Sequence, residues 1–115
     1  MKEDTAKVRK ILCVCDLGNN RSVQFAHLLR YKYQPCDTIP VGVEMHSKET
    51  LDMLYKWADI IIAVSDKVAF KIPVQFEAKV KIWDVGKRDI YPRPFNAELY
   101  RKAKQIIEDN KLWED

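Results

Sequence analysis

The sequence has no long apolar segment. No apolar run exceeds five residues, as in Ile60 to Val64, whereas a helix that crosses a bilayer needs about 20. The chain start, Met1 to Lys7, also lacks the apolar stretch of a signal peptide. We therefore expect a cytoplasmic protein with no membrane partner.

Cysteine and histidine are scarce. Three cysteines, Cys13, Cys15 and Cys36, make an odd count in a reducing compartment, which argues against a disulfide scaffold. The two histidines, His27 and His46, show no metal-ligand spacing with the cysteines. We expect neither a metal nor a cofactor, and a reactive thiol becomes the favoured interpretation.

No strong charge imbalance is present either. Twenty basic residues against 17 acidic residues give a formal charge of +3, a mild excess that suits an anionic ligand. No basic cluster alternates with stacking aromatic residues, so no nucleic-acid partner is expected. The 115 residues suit one domain spanning residues 1–115.

Short apolar runs alternate with helical periods along the chain, which predicts βα units and a parallel sheet. The predicted strands are Val8 to Cys15, Thr38 to Val43, Asp59 to Val64 and Lys79 to Val85. The predicted helices are Ser22 to Tyr33, a helix capped by Ser47, a short helix within Ser65 to Gln75 that is interrupted at Pro73, and a last helix capped by Asn96. These elements predict an α/β fold, a three-layer sandwich around a four-stranded parallel sheet.

The sequence pattern also predicts which side chains share a face on the fourth strand and on the last helix. The fourth strand should place Val80 and Ile82 on one face and Lys81 and Trp83 on the other. The last helix should bury a stripe formed by Leu99, Ala103, Ile106 and Ile107. Ligands of such sheets bind at the carboxyl ends of the strands, where Cys15 lies.

The segment from Cys15 to Ser22 follows a predicted strand and precedes a predicted helix. A tight loop that enters a helix turns successive backbone N–H groups toward a bound phosphate. The predicted cradle comprises Asp16, Leu17, Gly18, Asn19 and Asn20. Glycine and asparagine tolerate the backbone conformations that such a loop needs.

Three side chains of this segment suit phosphoryl transfer. Arg21 is a planar two-pronged donor that can hold two phosphate oxygens. The helix dipole, the loop N–H groups and Arg21 favour the thiolate of Cys15, which would attack phosphorus and form a phosphocysteine. Ser22 could stabilise the sulfur as a leaving group. The alternative is a buried strand-end cysteine, a surface arginine and a serine that only caps the helix.

These residues resemble the low-molecular-weight protein tyrosine phosphatases, whose motif is Cys-x5-Arg-Ser near the start of a small α/β domain. Leu51 to Val64, Asp84 to Gly86 and Pro94 to Leu99 are similar to segments of a short bacterial and phage branch of that superfamily. The resemblance implies a protein tyrosine phosphatase acting on a phosphorylated protein or a small aryl phosphate. It covers most of the chain, but only the Cys15 loop is strongly diagnostic.

Two departures from the family pattern stand out. Gly18 and Asn19 lie one place later than the family's Gly-Asn pair, and Asn20 replaces a second cysteine. Gly18 to Ser22 therefore looks closer to the phosphatases of the RNA polymerase II tail. The loop disulfide that some family members form is not available to this sequence.

The general acid, unlike the nucleophile, is not marked by a complete family motif. The family places an aspartate, usually followed by proline, in the late loop, and no Asp-Pro pair occurs here. Asp89 lies in mid-loop and is favoured over Asp84, which could instead anchor the loop. Asp16 is expected to point away from the site. Tyr91, Trp83 and the segment from Glu44 to His46 are candidate pocket walls, although both aromatic residues could equally pack in the core.

Other functions remain open at this point. A phosphate-binding or phosphoprotein-binding regulatory module without turnover would also keep the cradle. An arsenate reductase on the same fold would need resolving cysteines, and none follows Cys36. A phosphocysteine carrier of sugar uptake typically lacks the arginine found here at position 21.

Overall fold

A computed structural model of the protein describes residues 8–17, 21–86, 96–110 and 112. The strands in this part of the chain are β1 (Arg9–Cys15), β2 (Cys36–Gly42), β3 (Ile60–Ala63) and β4 (Val80–Ile82). The α-helices are α1 (Arg21–Lys32), α2 (Lys48–Trp57), α3 (Asp66–Phe70) and α4 (Ala97–Asp109), and a 3₁₀ helix covers Val74–Lys79. The predicted four-stranded α/β arrangement is confirmed.

The four strands form one parallel sheet in the order β2-β1-β3-β4. The crossover from β1 to β2 runs opposite to those from β2 to β3 and from β3 to β4. Right-handed connections therefore place α1 on one face of the sheet and α2 and α3 on the other. The chain changes direction beside β1, and such a point in a parallel sheet is where ligands bind.

The central strands consist almost entirely of buried apolar side chains. Residues 11–15 of β1 and all four residues of β3 are buried, as expected for strands covered by helices on both faces. On the α1 face, the Phe25 ring lies 5.6 Å from the Trp83 ring. On the opposite face, the rings of Tyr55 and Phe76 are 5.3 Å apart. These contacts fix the helices against the sheet that carries Cys15.

The two predicted helix caps are present. The Ser47 hydroxyl accepts a hydrogen bond from Thr50 N at 3.1 Å, at the start of α2. The Asn96 side chain accepts from the backbone N–H groups of Glu98 and Leu99, at the start of α4. Helix α4 buries Leu99, Ala103 and Ile107, while Ile106 is only partly buried. Three of the four predicted stripe residues are therefore fully in the core.

The prediction for the fourth strand was wrong in its length and in its faces. Strand β4 has only three residues, and the Ile82 side chain is 47% exposed. Trp83 and Val85, which follow the strand, are the buried residues. Among the described residues β4 pairs with β3 alone and lies at the edge of the sheet, and the helices in that part of the chain leave Ile82 largely uncovered.

Lys79 was predicted to begin that strand, but it ends the 3₁₀ helix. Its ammonium group donates to the carbonyl oxygens of Ala58 at 2.7 Å and Tyr55 at 2.9 Å. A cation at these carbonyls satisfies acceptors that the end of α2 leaves open. Lys79 thereby joins α2 to the beginning of β4.

The second strand was predicted to begin at Thr38, but it begins two residues earlier, at Cys36. Cys36 is the first residue of β2, it is buried, and its Sγ lies 3.5 Å from the carbonyl oxygen of Leu29, to which it donates. Burial raises the pKa of the Cys36 thiol. The side chain therefore belongs to the packing between α1 and the sheet.

None of the helices within the described residues has the length and apolar character that a bilayer crossing requires.

Candidate active site

Cys15 is the last residue of β1, at the carboxyl edge of the sheet. The strand runs between β2 and β3, and its end is held on both sides. Val43 N donates to the carbonyl oxygen of Cys15 at 2.9 Å, and Val64 N donates to that of Val14 at 3.2 Å. The Cys15 side chain is 3% exposed. The nucleophile predicted from sequence therefore lies on the most constrained strand of the sheet.

Ser22 lies beside the thiol of Cys15. Its Oγ is 3.1 Å from the Cys15 Sγ, and both side chains are buried. When Cys15 is a thiolate, the hydroxyl must donate, because the sulfur then has no proton to give. Ser22 lies within α1, which begins at Arg21, so it does not cap that helix. The 3.1 Å distance permits a hydrogen bond between Ser22 and the sulfur, and the catalytic role of Ser22 stays a prediction.

Arg21 is buried, with 3% of its surface exposed, so it is not a surface residue. Its Nη1 donates to the carbonyl oxygen of Gly86 at 2.9 Å, and its Nη2 lies 3.4 Å from Asp16 Oδ2. Its Nε is buried and has no hydrogen-bond partner among the described residues. A buried N–H group without a partner is costly. The Nε–Nη2 edge of the guanidinium is therefore the one that a phosphate oxygen pair can satisfy.

The anchor for Arg21 comes from the segment after β4. Gly86 has a φ of 106°, a conformation that favours glycine. Its N–H donates to Asp84 Oδ1 at 2.8 Å, which closes a tight turn. The turn points the Gly86 carbonyl oxygen at Arg21. Asp84 thus has an observed structural role, as a residue that anchors the loop.

Asp16 was expected to point away from the site, and the structure differs. Its carboxylate lies between two cations, with Oδ2 3.4 Å from Arg21 Nη2 and Oδ1 3.1 Å from Lys71 Nζ. Lys71 Nζ also lies 3.2 Å from Glu44 Oε2. Two positive neighbours stabilise the Asp16 charge in this position.

Of the candidate pocket walls that the structure describes, one is buried in the core and the others are exposed. Trp83 is buried against Phe25 and packs in the core. Met45 and His46 are exposed beyond β2, on the turn that contains Glu44. Leu17 is partly exposed. The predicted residues Gly18, Asn19, Asn20, Asp89 and Tyr91 lie outside the described residues.

The other cysteines are poor candidates for chemistry. Cys13 is fully buried, and burial raises the pKa of its thiol far above the usual value, with smaller contributions from Cys15 and Cys36. All three cysteines lie in the described part of the chain, and none is in a disulfide. Among the described residues no group of three or more acidic, histidine or cysteine side chains could hold a metal ion.

Two residues of this site were not predicted from the sequence. Gly86 and Lys71 are 65 and 55 residues away from their partners Arg21 and Asp16. Lys71 follows α3, and nothing in its local sequence marks it as different from the neighbouring Lys67. A resemblance at Asp84 to Gly86 pointed to the right turn but not to its contact with Arg21.

A parallel sheet in this strand order, with Cys15 at the carboxyl end of β1, is the arrangement of a known fold. The chain has the fold of the low-molecular-weight protein tyrosine phosphatases, as the sequence resemblance implied. No family model matches the sequence, and no curated protein matches it.

Solved structures that are similar to this chain in fold include the following three. Vibrio vulnificus Wzb in complex with benzylphosphonate has a TM-score of 0.60 and 18% identity, covering 90% of this chain and 94% of that one. The YwlE arginine phosphatase from Geobacillus stearothermophilus has a TM-score of 0.57 and 17% identity, covering 85% of each chain. A YwlE mutant from Bacillus subtilis has a TM-score of 0.55 and 15% identity, covering 87% and 92%. At these identities the likeness establishes the fold, and the function must be argued from the site.

Proposed function

We propose that this protein is a cysteine-dependent phosphomonoester hydrolase, with phosphotyrosine-like aryl phosphates as its substrate class. The observation that carries the proposal is the geometry at the end of β1. The Cys15 thiol lies 3.1 Å from the Ser22 hydroxyl, and Arg21 is buried with an Nε that no group in the described part of the chain pairs with. A strand-end cysteine used only for packing would need neither feature.

The proposed first step transfers the phosphoryl group to sulfur. The Cys15 thiolate attacks phosphorus, a P–S bond forms, and the ester P–O bond breaks. Arg21 holds two of the phosphoryl oxygens, on which negative charge is concentrated. The leaving phenolate takes a proton from an aspartic acid.

The second step regenerates the thiolate. A water molecule attacks phosphorus, the same aspartate takes the proton of that water, and the P–S bond breaks to release inorganic phosphate. The sulfur leaves with the bonding pair, and the Ser22 hydroxyl stabilises the thiolate that forms. One acid–base group therefore serves both steps.

The aryl preference rests on the family resemblance and on one neighbour. Benzylphosphonate, found with Vibrio vulnificus Wzb, joins a tetrahedral phosphonate to an aromatic ring. The YwlE arginine phosphatase from Geobacillus stearothermophilus makes phosphoarginine the natural comparison substrate. A preference for phosphoarginine would keep the hydrolase class and correct the substrate.

The direct test is to trap the intermediate. Wild-type protein is mixed with p-nitrophenyl phosphate, denatured rapidly, digested and analysed by mass spectrometry. We expect one phosphoryl group on the peptide that contains both Cys13 and Cys15, assigned to Cys15 by fragmentation, and none on the peptide that contains Cys36. Phosphate binding without any labelled Cys15 and without release of nitrophenol would instead identify a regulatory module.

We propose Asp89 as the general acid, since Asp84 already holds the Gly86 turn. Asp89→Asn should lower kcat for phenyl phosphate by about 10²-fold to 10⁴-fold. The loss should be smaller for p-nitrophenyl phosphate, because nitrophenolate leaves without much help from an acid. Steady-state kinetics with both substrates measures the difference.

The matched control is Asp84→Asn, which keeps an oxygen that can accept from Gly86 N. We expect this variant to stay within a few-fold of wild type on both substrates. A larger loss in Asp84→Asn than in Asp89→Asn, with the same dependence on the leaving group, would reverse the assignment.

A further inference from the structure

The carboxylate of Asp16, the residue after the nucleophile, is shared between two cations. Arg21 Nη2 is 3.4 Å from Oδ2, and Lys71 Nζ is 3.1 Å from Oδ1. Lys71 also binds Glu44 at 3.2 Å, and Glu44 N donates to the Asp16 carbonyl oxygen at 2.9 Å. We call Asp16, Arg21, Glu44 and Lys71 the Asp16 cluster. It contains two carboxylates and two cations, and their formal charges cancel.

An acidic residue at this position is a problem for anion binding. Its charge repels a phosphate dianion bound next to it, and its oxygens compete with that phosphate for Arg21. The distances show which cation holds Asp16 more closely. The contact with Lys71 is within normal hydrogen-bond range, whereas the contact with Arg21 is at the long limit.

Lys71 is well placed to hold Asp16. Its backbone N donates to the carbonyl oxygen of Val68 at 3.0 Å, and the neighbouring Val68 and Ile72 side chains are buried. The base of the side chain is therefore fixed while the ammonium group reaches the loop. Hydrogen bonds to Asp16 and then to Glu44 raise the pKa of Lys71. The ammonium group consequently remains charged wherever an ordinary lysine does.

We propose that Lys71 is a positioning residue of this site. Its ammonium group holds the Asp16 carboxylate at 3.1 Å and balances its charge, so that a phosphate oxygen can displace the longer contact of Asp16 with Arg21 Nη2, at 3.4 Å. This inference rests on the proposed function for its catalytic consequence, but phosphate binding alone can test it. Without Lys71, the remaining cluster would carry a net charge of −1 beside the anion, and Arg21 would be the nearest cation to Asp16.

The central test is Lys71→Met, which keeps the length of the side chain and removes its charge. Isothermal titration with inorganic phosphate should show about fivefold weaker binding, the scale of one partly exposed ion pair. With p-nitrophenyl phosphate, KM should rise by a similar factor while kcat changes less, because the loss is in anion binding. Lys71→Arg should restore both values.

Two further variants distinguish the positioning role of Lys71 from the general loss of a surface charge and from a direct attraction of phosphate by Lys71. Lys67→Met removes an exposed lysine from α3, the short helix that Lys71 follows, and should bind phosphate like wild type. In an Asp16→Asn background, Lys71→Met should cause no additional loss, because there is no carboxylate left to hold. If Lys71 attracted phosphate directly, the fivefold loss would persist in that background.

The outcomes distinguish this inference from the proposed function. Normal phosphate binding by Lys71→Met, or an equal loss with and without the Asp16 carboxylate, would overturn the positioning role. Phosphate binding that depends on Lys71, in a protein that does not hydrolyse aryl phosphates, would uphold the positioning role and overturn the hydrolase. A wild-type protein that binds no phosphate would overturn both.

Discussion

Cys15→Ser is expected to lower kcat/KM for p-nitrophenyl phosphate by about 10⁵-fold or more, the scale seen when an enzyme loses its nucleophile. A serine hydroxyl at this position is not ionised near neutral pH, and the neighbouring Ser22 side chain is also a hydroxyl. Neither group can act as the general base that a serine nucleophile requires. Initial rates at saturating and limiting substrate measure the loss.

The same variant should still bind inorganic phosphate, because Arg21 and its contact with Gly86 are unchanged. Circular dichroism and phosphate titration therefore serve as internal checks on the fold and the cradle. Cys36→Ala is the matched control, since it removes a buried cysteine at the opposite end of the neighbouring strand. Retention of more than a hundredth of the activity in Cys15→Ser would be incompatible with nucleophilic catalysis by this residue.

Arg21→Lys should have the second largest effect, a loss of about 10³-fold in kcat/KM. The substitution keeps the positive charge and removes the planar fork. A lysine ammonium cannot both occupy the Gly86 carbonyl oxygen at 2.9 Å and present two parallel N–H groups to phosphate. Both kcat and phosphate affinity should fall, which distinguishes this variant from Cys15→Ser.

The control for Arg21→Lys is Arg30→Lys on the same helix, at an exposed position. It should leave both parameters unchanged. A loss of less than tenfold in Arg21→Lys would show that charge alone, without the two-pronged geometry, accounts for the contribution of Arg21.

Local sequence signals predicted the elements of this fold well, because each depends on neighbouring residues. The apolar run ending at Cys15 and the Ser47 and Asn96 caps are confirmed, as are three of the four residues of the α4 stripe. The buried side chains around β4 were predicted wrongly, because the alternation of residues along a strand does not reveal which of its faces the rest of the fold covers. Trp83 packs against Phe25 after the strand has ended, where the period of two no longer applies.

The contacts of the site likewise divide into local ones, which the sequence predicted, and long-range ones, which it did not. Cys15 and Ser22 meet across one loop, so their spacing in the sequence was sufficient to predict their contact. The partners of Arg21 and Asp16 come from other crossovers of the sheet. Gly86 and Lys71 reach them because β3 pairs with β1 and β4 pairs with β3. Such long-range contacts leave no local pattern, which is why the sequence did not predict the two cations beside the Asp16 carboxylate.

The different positions of β1 and β4 in the sheet also bear on local unfolding. Strand β1 has neighbours on both sides, so opening it requires most of the domain to unfold, whereas the three-residue β4 can detach from β3 alone. The nucleophile therefore lies in the most protected part of the chain, and the carbonyl oxygen that holds Arg21 follows the least protected strand. Amide hydrogen exchange of Val80–Ile82 compared with β1 measures this gradient. A folded population that has lost β4 would keep Cys15 in place and lose the anchor of its arginine, so inactivation can precede global unfolding.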